Sequence, residues 1–518
     1  MPEYLTPGVI IEELEGPKTI EGVSTSTAGF IGLTERGPIN PYLVTSFEEF
    51  KRLYGGYIAK SNLAYAVDGF FTNGGKRCYI SKIYSKTAAK VAKSELGSGE
   101  GKVTINTVGP GEWGNRIYYK ILDSSLHYKP DDAQSTKFFK LIICYFSTKP
   151  ENIDDKVAES ADVYEVYDNL SVLPSSNSYY KNAIEGVSYL VRIFDDFADK
   201  NENNLGRPAN LEWKNLEEGA GSNDDVLNED YLGETIPIDN SKVIKTGFTG
   251  LEDIEDISIM CAPDADPDMM NNLVNRCAGI KDRIAIINLP SNAAGNIGLV
   301  DTPLDNKYGA LYFPWVYVFD PLTKSKKLVP PTGHMAGIYA RVDVERGVHK
   351  APANESIFGI TSLQVQVSAD QQGILNPRGV NVIRSFPGRG NLVWGARTIS
   401  KDPMWKYINV RRLFIFVEKS VKRSMQWAVF EPNNEKLWSR VKTALTDFLT
   451  NVWKTGALMG TKPEEAFFVI ADRSTMTQND LDNGRLIVVV GIAPTKPAEF
   501  VIFRFVQWQS GTNVSELL

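Results

Sequence analysis

The sequence predicts an α/β and α+β multidomain fold: an α/β core, a C-terminal α+β domain, an inserted β-rich acidic domain, and extended strand arms at both ends. Three observations predict it. Short, nearly continuous apolar runs separated by a helix-capable stretch occur after about residue 250, as buried parallel strands require. A turn-rich acidic block interrupts the middle of the chain. Each end is a single strand-like pattern with no neighbouring element to pair with. A chain of 518 residues leaves room for three or four domains of roughly 150 residues.

Composition narrows the function classes. Hydrophobic residues at 42% and charged residues at 23% are ordinary for a folded protein and argue against wholesale disorder. A net charge of −7 provides no overall electrostatic case for wrapping nucleic acid. Cys78, Cys144, Cys261 and Cys277 form no CxxC pair, and with three histidines a closed zinc site is not expected. The opening MPEYLTPGVIIEELEG has no basic n-region or apolar h-region, so no secretory signal is read. The most apolar run, Leu486 to Ala493, is too short to span a bilayer, and no membrane insertion is expected. These features point to folding in a reducing cytoplasm.

Along the chain, Pro2, Pro7, Gly8, Gly16 and Pro17 punctuate one short apolar run, Val9 to Ile11, and residues 1–20 form an arm. KVTINTV, NRIYYKILDSS and KFFKLIICYFS alternate apolar and polar residues and open a β-rich insertion at residues 102–245. Within it, Glu151 to Asn240 carries twenty-one acidic and six basic side chains, a net of −15 that leaves +8 for the rest. YYKNAIEGVSYLVRIFDDF is read there as one amphipathic helix. Over 246–375, DISIMCAP, DRIAIINLP and LYFPWVYVFD read as buried strands, with PDMMNNLVNRCAGI as a helix between the first two. In 376–497, VRRLFIFVEKS reads as strand into helix and RLIVVVGIAP as a buried strand. Between them, Leu437, Val441, Ala444, Leu445, Phe448, Val452 and Trp453 form a helical stripe over Asn433 to Trp453. Its opposite face carries Lys436, Arg440, Thr443 and Asp447. The last segment, 498–518, holds the strand pattern AEFVIFRFVQWQS and a polar tail. A lone strand needs partners for its backbone groups, either in its own sheet or in another subunit.

Motifs for chemistry are sparse. Gly109, Gly111 and Gly114 match GxGxxG, but Pro110 and the strand-like NRIYYKIL deny the helix N-terminus a dinucleotide would need, so a turn between strands is expected. Asp264, Asp266 and Asp268 have calcium-loop spacing, yet Met269 and Asn275 occupy the positions of the required Gly and Glu. They are read as loop acids between a strand end and a helix start, where an α/β enzyme would place a ligand; this is the one enzymatic alternative. No HExxH, GxSxG or Walker A sequence occurs, and His334 and His349 are read as structural or surface residues. Arg378 to Arg423 holds eleven basic residues against Asp402 and Glu418, among them Arg384, Arg389, Arg397, Arg411 and Arg412. Such a patch suits nucleic acid or an acidic protein surface. Residues 1–21 supply an acidic candidate, with Glu3, Glu12, Glu13, Glu15 and Glu21 against Lys18.

YLTPGVIIEELEG, GVSTSTAGFIG, ERGPINPYLVTSFEEF and YGGY strongly resemble the N-terminus of contractile tail sheath proteins of phages and related injection systems. The resemblance resumes at GPGEWGNRI and continues through GVHKAPANE, ILNPRGVNVIRSFPGRGNLVWGARTIS, WKYINVRRLFIFVEKS, FEPN and IAPTKPAEFVIFRF. It covers the first ~95 residues and most of the chain after ~250, in coherent order. The acidic insertion has no counterpart and is expected on the outside of an assembly. The resemblance implies that 21–101 is the first part of a sheath core, 246–375 its α/β part and 376–497 a conserved C-terminal domain. It implies a non-enzymatic homo-oligomer without cofactor: hexameric rings stacked as a helical sleeve around an inner tube protein, meeting baseplate and tail terminator proteins and no nucleic acid. Assembly in the bacterial cytoplasm into a phage tail or injection particle follows. Donated strands are implied at Tyr4, Val9, Ile10, Ile11, Glu12 and Glu13, and at Phe500, Val501, Ile502, Phe503 and Phe505. The Asn433 to Trp453 helix would face the tube through Lys436 and Arg440, while acidic arm and basic patch would set register between neighbours.

Overall fold

Six apolar runs lie side by side as parallel strands, because each is buried on both faces and requires cover from helices above and below. In a computed structural model that describes residues 19–96, 103–127, 129, 135–195, 205–237, 243–302 and 304–503, their spatial order is Cys78–Lys82, Ala28–Gly32, Ile259–Cys261, Ile284–Asn288, Gly309–Phe313 and Val380–Phe386. Antiparallel strands flank them, Tyr42–Val44 at one edge and Gly390–Val393 with Glu355–Ser356 at the other. The run LYFPWVYVFD is two strands. Pro314 has no N–H for a ladder, and after it Val316–Asp320 leaves to pair with Ser325–Val329 and Ser362–Leu363.

Alternate residues of each strand enter opposite cores. Phe30, Ile80, Cys261 and Ile286 pack beneath the helices Leu63–Thr72 and Thr332–Arg346, while Ile31, Met260, Ile287 and Leu311 meet the helix Pro267–Ile280 on the other face. The first two helices cross at van der Waals distance because the contact is glycine. A Cβ on Gly333 would lie 2.1 Å from the Ala66 carbonyl oxygen, and one on Gly337 would lie 2.4 Å from that of Phe70. His334 fills the crossing against Gly69, and burial pushes its imidazole down to about 4, so it is a neutral core residue.

The insertion is a sandwich. Lys93–Leu96, Val103–Thr107 and Val191–Asp195 form one antiparallel sheet, and Leu211–Asn215, Ile117–Asp123, Phe138–Tyr145 and Val163–Ser171 form the other. Their inward residues, including Ile105, Ile193, Tyr119, Leu141 and Ile143, make one core. That core begins at Ala92, ahead of the boundary expected at 102. YYKNAIEGVSYLVRIFDDF is not one helix: Tyr180–Ile184 ends before Gly186, whose φ of 79° breaks the turn, and Val191–Asp195 joins the sheet. The glycines of GPGEWG shape a link between the two sheets, with Glu112–Arg116 as one 3₁₀ turn. At the seam with the central domain, Tyr145 donates to Glu35 at 2.6 Å. Beside it, Lys82 and Trp113 line a cavity of about 170 Å³, and burial pushes the Lys82 ammonium down to about 7.

Two long helices, two short ones and a two-stranded sheet make up the described part of the C-terminal domain. The segment expected as strand into helix is helical throughout, Ile408–Ser424. Leu413, Ile415 and Val417 alternate like a strand because the helix is wedged between two cores: Ile415 enters the central one, Leu413 and Val417 the C-terminal one. The predicted stripe helix runs Glu435–Lys454, with the Asn434 side chain accepting the Lys436 and Leu437 amides at 3.1 Å. Across the domain boundary Arg412 grips Asp343 bidentately at 2.6 and 2.7 Å, both side chains 3% exposed. Thr25 donates to the same carboxylate at 2.6 Å, and the Arg412 guanidinium lies 4.8 Å from the Tyr339 ring centre.

Two stability predictions follow from this packing. Asp343→Ala strands the Arg412 charge and should cost about 3–5 kcal/mol in urea denaturation. Lys82→Met should stabilise the chain most below pH 7. The unfolded lysine holds its proton up to about 10.5 whereas the folded one loses it near 7, so the wild-type penalty fades as pH rises between those values; denaturation at pH 6 and pH 9 measures the difference.

Candidate assembly interface

In an open α/β sheet, ligands collect where strand connections diverge, here between Ala28–Gly32 and Ile259–Cys261. Asp264 stands at that point. Its carboxylate accepts the Ser61 hydroxyl at 2.6 Å and the Asn62 amide at 2.8 Å, satisfying the N-terminus of the helix Leu63–Thr72. Burial raises its pKa, and those hydrogen bonds oppose the rise. Lys327 closes the mouth by donating to the carbonyls of Ala59 and Ser61 at 3.2 and 3.3 Å. Asp266 caps the helix Pro267–Ile280 through the Met269 amide at 2.8 Å. Asp264 and Asp266 thus hold helix N-termini.

The basic run does not form a patch. Arg411 is buried, pairs with Glu418 at 2.8 Å and stacks over Trp405. Arg412 pairs with Asp343, and Arg397 with Glu499 at 2.7 Å. Lys419 donates inward to the Ile257 carbonyl at 2.9 Å. Arg384 bonds Gln372 at 2.9 Å, and Arg389, on an exposed turn, bonds Asn354 at 2.7 Å. The expected positive surface at Arg384, Arg389, Arg397, Arg411 and Arg412 is corrected for three of the five: Arg397, Arg411 and Arg412 are buried against carboxylates of their own subunit, whereas Arg384 is half-buried and Arg389 exposed.

What the subunit leaves unfinished lies around its ends. Tyr4, Val9, Ile10, Ile11, Glu12, Glu13 and Phe505 fall outside the described residues. The root of the front arm is bound: the amides of Glu21 and Val23 donate to the hydroxyls of Ser424 and Ser420 at 3.2 and 3.1 Å. At the back, Phe500, Val501, Ile502 and Phe503 lie outside every strand, with Phe500 71% exposed. Phe467–Ile470 and Val489–Ile492 form a sheet of two strands among the described residues. RLIVVVGIAP is therefore not a buried strand. Ile487, Val489 and Val490 are exposed, and Phe468, 53% exposed, lies over Gly491. A two-stranded sheet with an exposed apolar face is a place where a further strand can be added.

On the Glu435–Lys454 helix, Lys436, Thr443 and Asp447 are exposed, and the half-buried Arg440 stacks 5.1 Å from the Trp427 ring centre. The sequence reading missed the loop before it. Phe430 is fully exposed, with Val429 beside it, and has a φ of 67° that a bulky side chain rarely adopts. The loop is pinned by Asn433, which donates to the Arg485 carbonyl at 3.1 Å and accepts the Trp438 indole N–H at 2.7 Å. The only sequence signal was the FEPN motif itself.

Comparison with known proteins agrees with this geometry. Models of the phage tail sheath protein central domain and the phage tail sheath C-terminal domain match residues 227–399 and 400–507, together more than half of the chain. The tail sheath protein of Enterobacteria phage T4 is 23% identical over 269 residues, 51% of this chain and 38% of that protein. That of Burkholderia phage BcepMu is 28% identical over 203 residues, 38% of this chain and 41% of that protein. The chain thus spans less than half the length of these relatives. Among solved structures, the sheath complex of the extracellular contractile injection system PVC in its contracted state covers 100% of both chains with a TM-score of 0.57 and 23% identity. The helical sheath of the anti-feeding prophage, also contracted, covers 97% of this chain and 99% of that one with a TM-score of 0.56 and 24% identity. Both share this fold.

Because Phe430 buries nothing within the subunit, Phe430→Gly should leave stability unchanged or raise it by up to about 1 kcal/mol through relief of the left-handed conformation. Phe430→Ala keeps the strain and should show no such gain. Thermal unfolding of the two variants checks this.

Proposed function

The chain belongs to the phage tail sheath family, and from that membership we propose that it is the structural and mechanical subunit of a contractile sheath. It polymerises as stacked hexameric rings in a helical sleeve around an inner tube, is held extended in a higher-energy packing, and contracts to drive the tube through a target envelope. The observation that carries this reading is the two-stranded sheet Phe467–Ile470 and Val489–Ile492 together with an exposed apolar run, Phe500 to Ile502, that pairs with no strand among the described residues. A strand from a neighbouring copy would complete the first, and a neighbour's sheet would accept the second. The extent of the likeness to contracted sheath assemblies supports it.

In this reading the two arms, residues 1–20 and 498–518, connect neighbours, and backbone ladders between copies persist while rigid cores swing. Lys436 and Arg440, with Phe430 beside them, face the tube. The β-sandwich insertion, whose acidic block is strongly negative, occupies the outside of the sleeve, where added mass meets no neighbour. Baseplate and tail terminator proteins cap the ends. Release of free energy proceeds subunit by subunit as interfaces re-form, and it needs no catalytic group because packed interfaces are bistable.

Val490→Asp, which places a charge on the exposed face of the hairpin, and removal of residues 1–20 should each leave a folded, soluble subunit that forms no contractile sleeves. Negative-stain microscopy with the tube partner provides the measurement. Normal contracting sleeves from both variants would overturn the strand-addition account.

A further inference from the structure

The chain's last described turn is fastened before it leaves the subunit. Glu499 accepts Arg397 Nε at 2.8 Å on one oxygen and Arg397 Nη2 at 2.7 Å on the other. Asn376 adds a bond at 2.7 Å and the Tyr407 hydroxyl one at 3.1 Å, with the Lys406 ammonium 3.7 Å away. Burial raises the carboxyl's pKa, but the Arg397 and Asn376 hydrogen bonds outweigh it and hold the group below its ordinary value. The preceding residues are stiff as well. Pro494 and Pro497 restrict the backbone, and the Thr495 amide and carbonyl bond Ala457 and Asn409. Phe500 to Phe503 are exposed at once.

The socket spans two domains. Lys406, Tyr407 and Glu499 belong to the C-terminal domain, whereas Asn376 and Arg397 belong to the central one. Arg397 is itself braced: its amide donates to the buried Asn381 side chain at 2.7 Å, and its carbonyl accepts from the same side chain at 2.7 Å. Asn381 sits in the strand Val380–Phe386 and donates to the Leu311 carbonyl of the adjacent strand at 3.1 Å. A continuous series of bonds therefore runs from Glu499 into the outermost parallel strand of the central sheet and its neighbour Gly309–Phe313.

We infer that Glu499 is the mechanical root of the C-terminal arm, and that load applied by a neighbouring copy holding the residues beyond it passes through Arg397 into the central sheet. The geometry favours this over a simple glue. A bidentate, charge-assisted pair resists both displacement and rotation of the carboxylate, so it sets the point and the direction in which the arm emerges. Without the socket the last hold on the chain would be the Thr495 bonds to Ala457 and Asn409, and the exit would wander by the length of the freed segment. Glu499 is thus a positioning residue for strand donation, and the inference rests on the proposed sheath function.

The test uses full-length chains co-assembled with the tube partner, with sleeve yield and length read by negative-stain microscopy and folding by thermal unfolding. Glu499→Ala and Arg397→Ala should fold yet lower the yield of full-length sleeves at least tenfold, and Asn376→Ala should lower it less. If Glu499→Ala does not fold, Glu499→Gln, which keeps the shape and removes the charge, carries the same tenfold expectation. A chain ending at residue 499 is the control. If it fails to assemble while the folded Glu499 variants form normal sleeves, the socket is overturned and the arm's role stands. If the truncated chain itself forms normal, contracting sleeves, the reading of the arm as a connector fails, and this inference with it.

Discussion

One buried ion pair holds the subunit's parts to each other. Arg412 comes from the long helix of the C-terminal domain, Asp343 from the helix that covers the central sheet, and Thr25 from the chain just before the first strand. A charge pair removed from water gains little over a well-packed apolar contact. It does impose one geometry, because the guanidinium fork meets the carboxylate in a single register and its remaining N–H reaches the Thr25 carbonyl at 3.0 Å. The packing of the domains and the departure of the front arm are fixed at one point. The back arm is fixed at another, again by arginine on carboxylate.

Such use of charge changes what the basic run means. Eleven cations in forty-six residues look like a surface made for a polyanion. In the fold the buried ones, Arg397, Arg411 and Arg412, become fasteners within the subunit, while Arg389, Lys422 and Arg423 stay exposed. Likewise, the acids at the sheet's divergence point look like the floor of an active site but cap helices. The subunit's unmet needs are backbone edges and apolar side chains: the open hairpin, the exposed residues after Glu499, and Phe430. Those needs are met by polypeptide, which suits a subunit whose work is done at contacts between copies.

Legibility followed the physics of each segment. The runs DISIMCAP and DRIAIINLP were readable as parallel strands because burial on both faces leaves continuous apolar stretches, and the helix between them was readable from its Asp266 cap and Pro267 start. The helix Glu435–Lys454 was readable because one face is solvated. The helix Ile408–Ser424 was not, since two cores bury opposite sides and erase the 3.6-residue period. RLIVVVGIAP misled for the converse reason: its apolar residues stay exposed on the subunit, with Ile487, Val489 and Val490 at the surface. Charge counts failed where pairing was long-range, as with Arg397 and Glu499, 102 residues apart. Phe430 was invisible as a site because strain is a property of the backbone and not of composition.

The helix wedged between two cores has a further consequence. With Ile415 in one and Leu413 and Val417 in the other, the central and C-terminal domains cannot slide past each other without opening apolar surface on both sides. They form a single stiff lever. Any stroke made by an array of such chains must then be the sum of many small rotations at the joints, with the levers unchanged in length, and its reach is set by the number of copies instead of by the travel available inside any one of them.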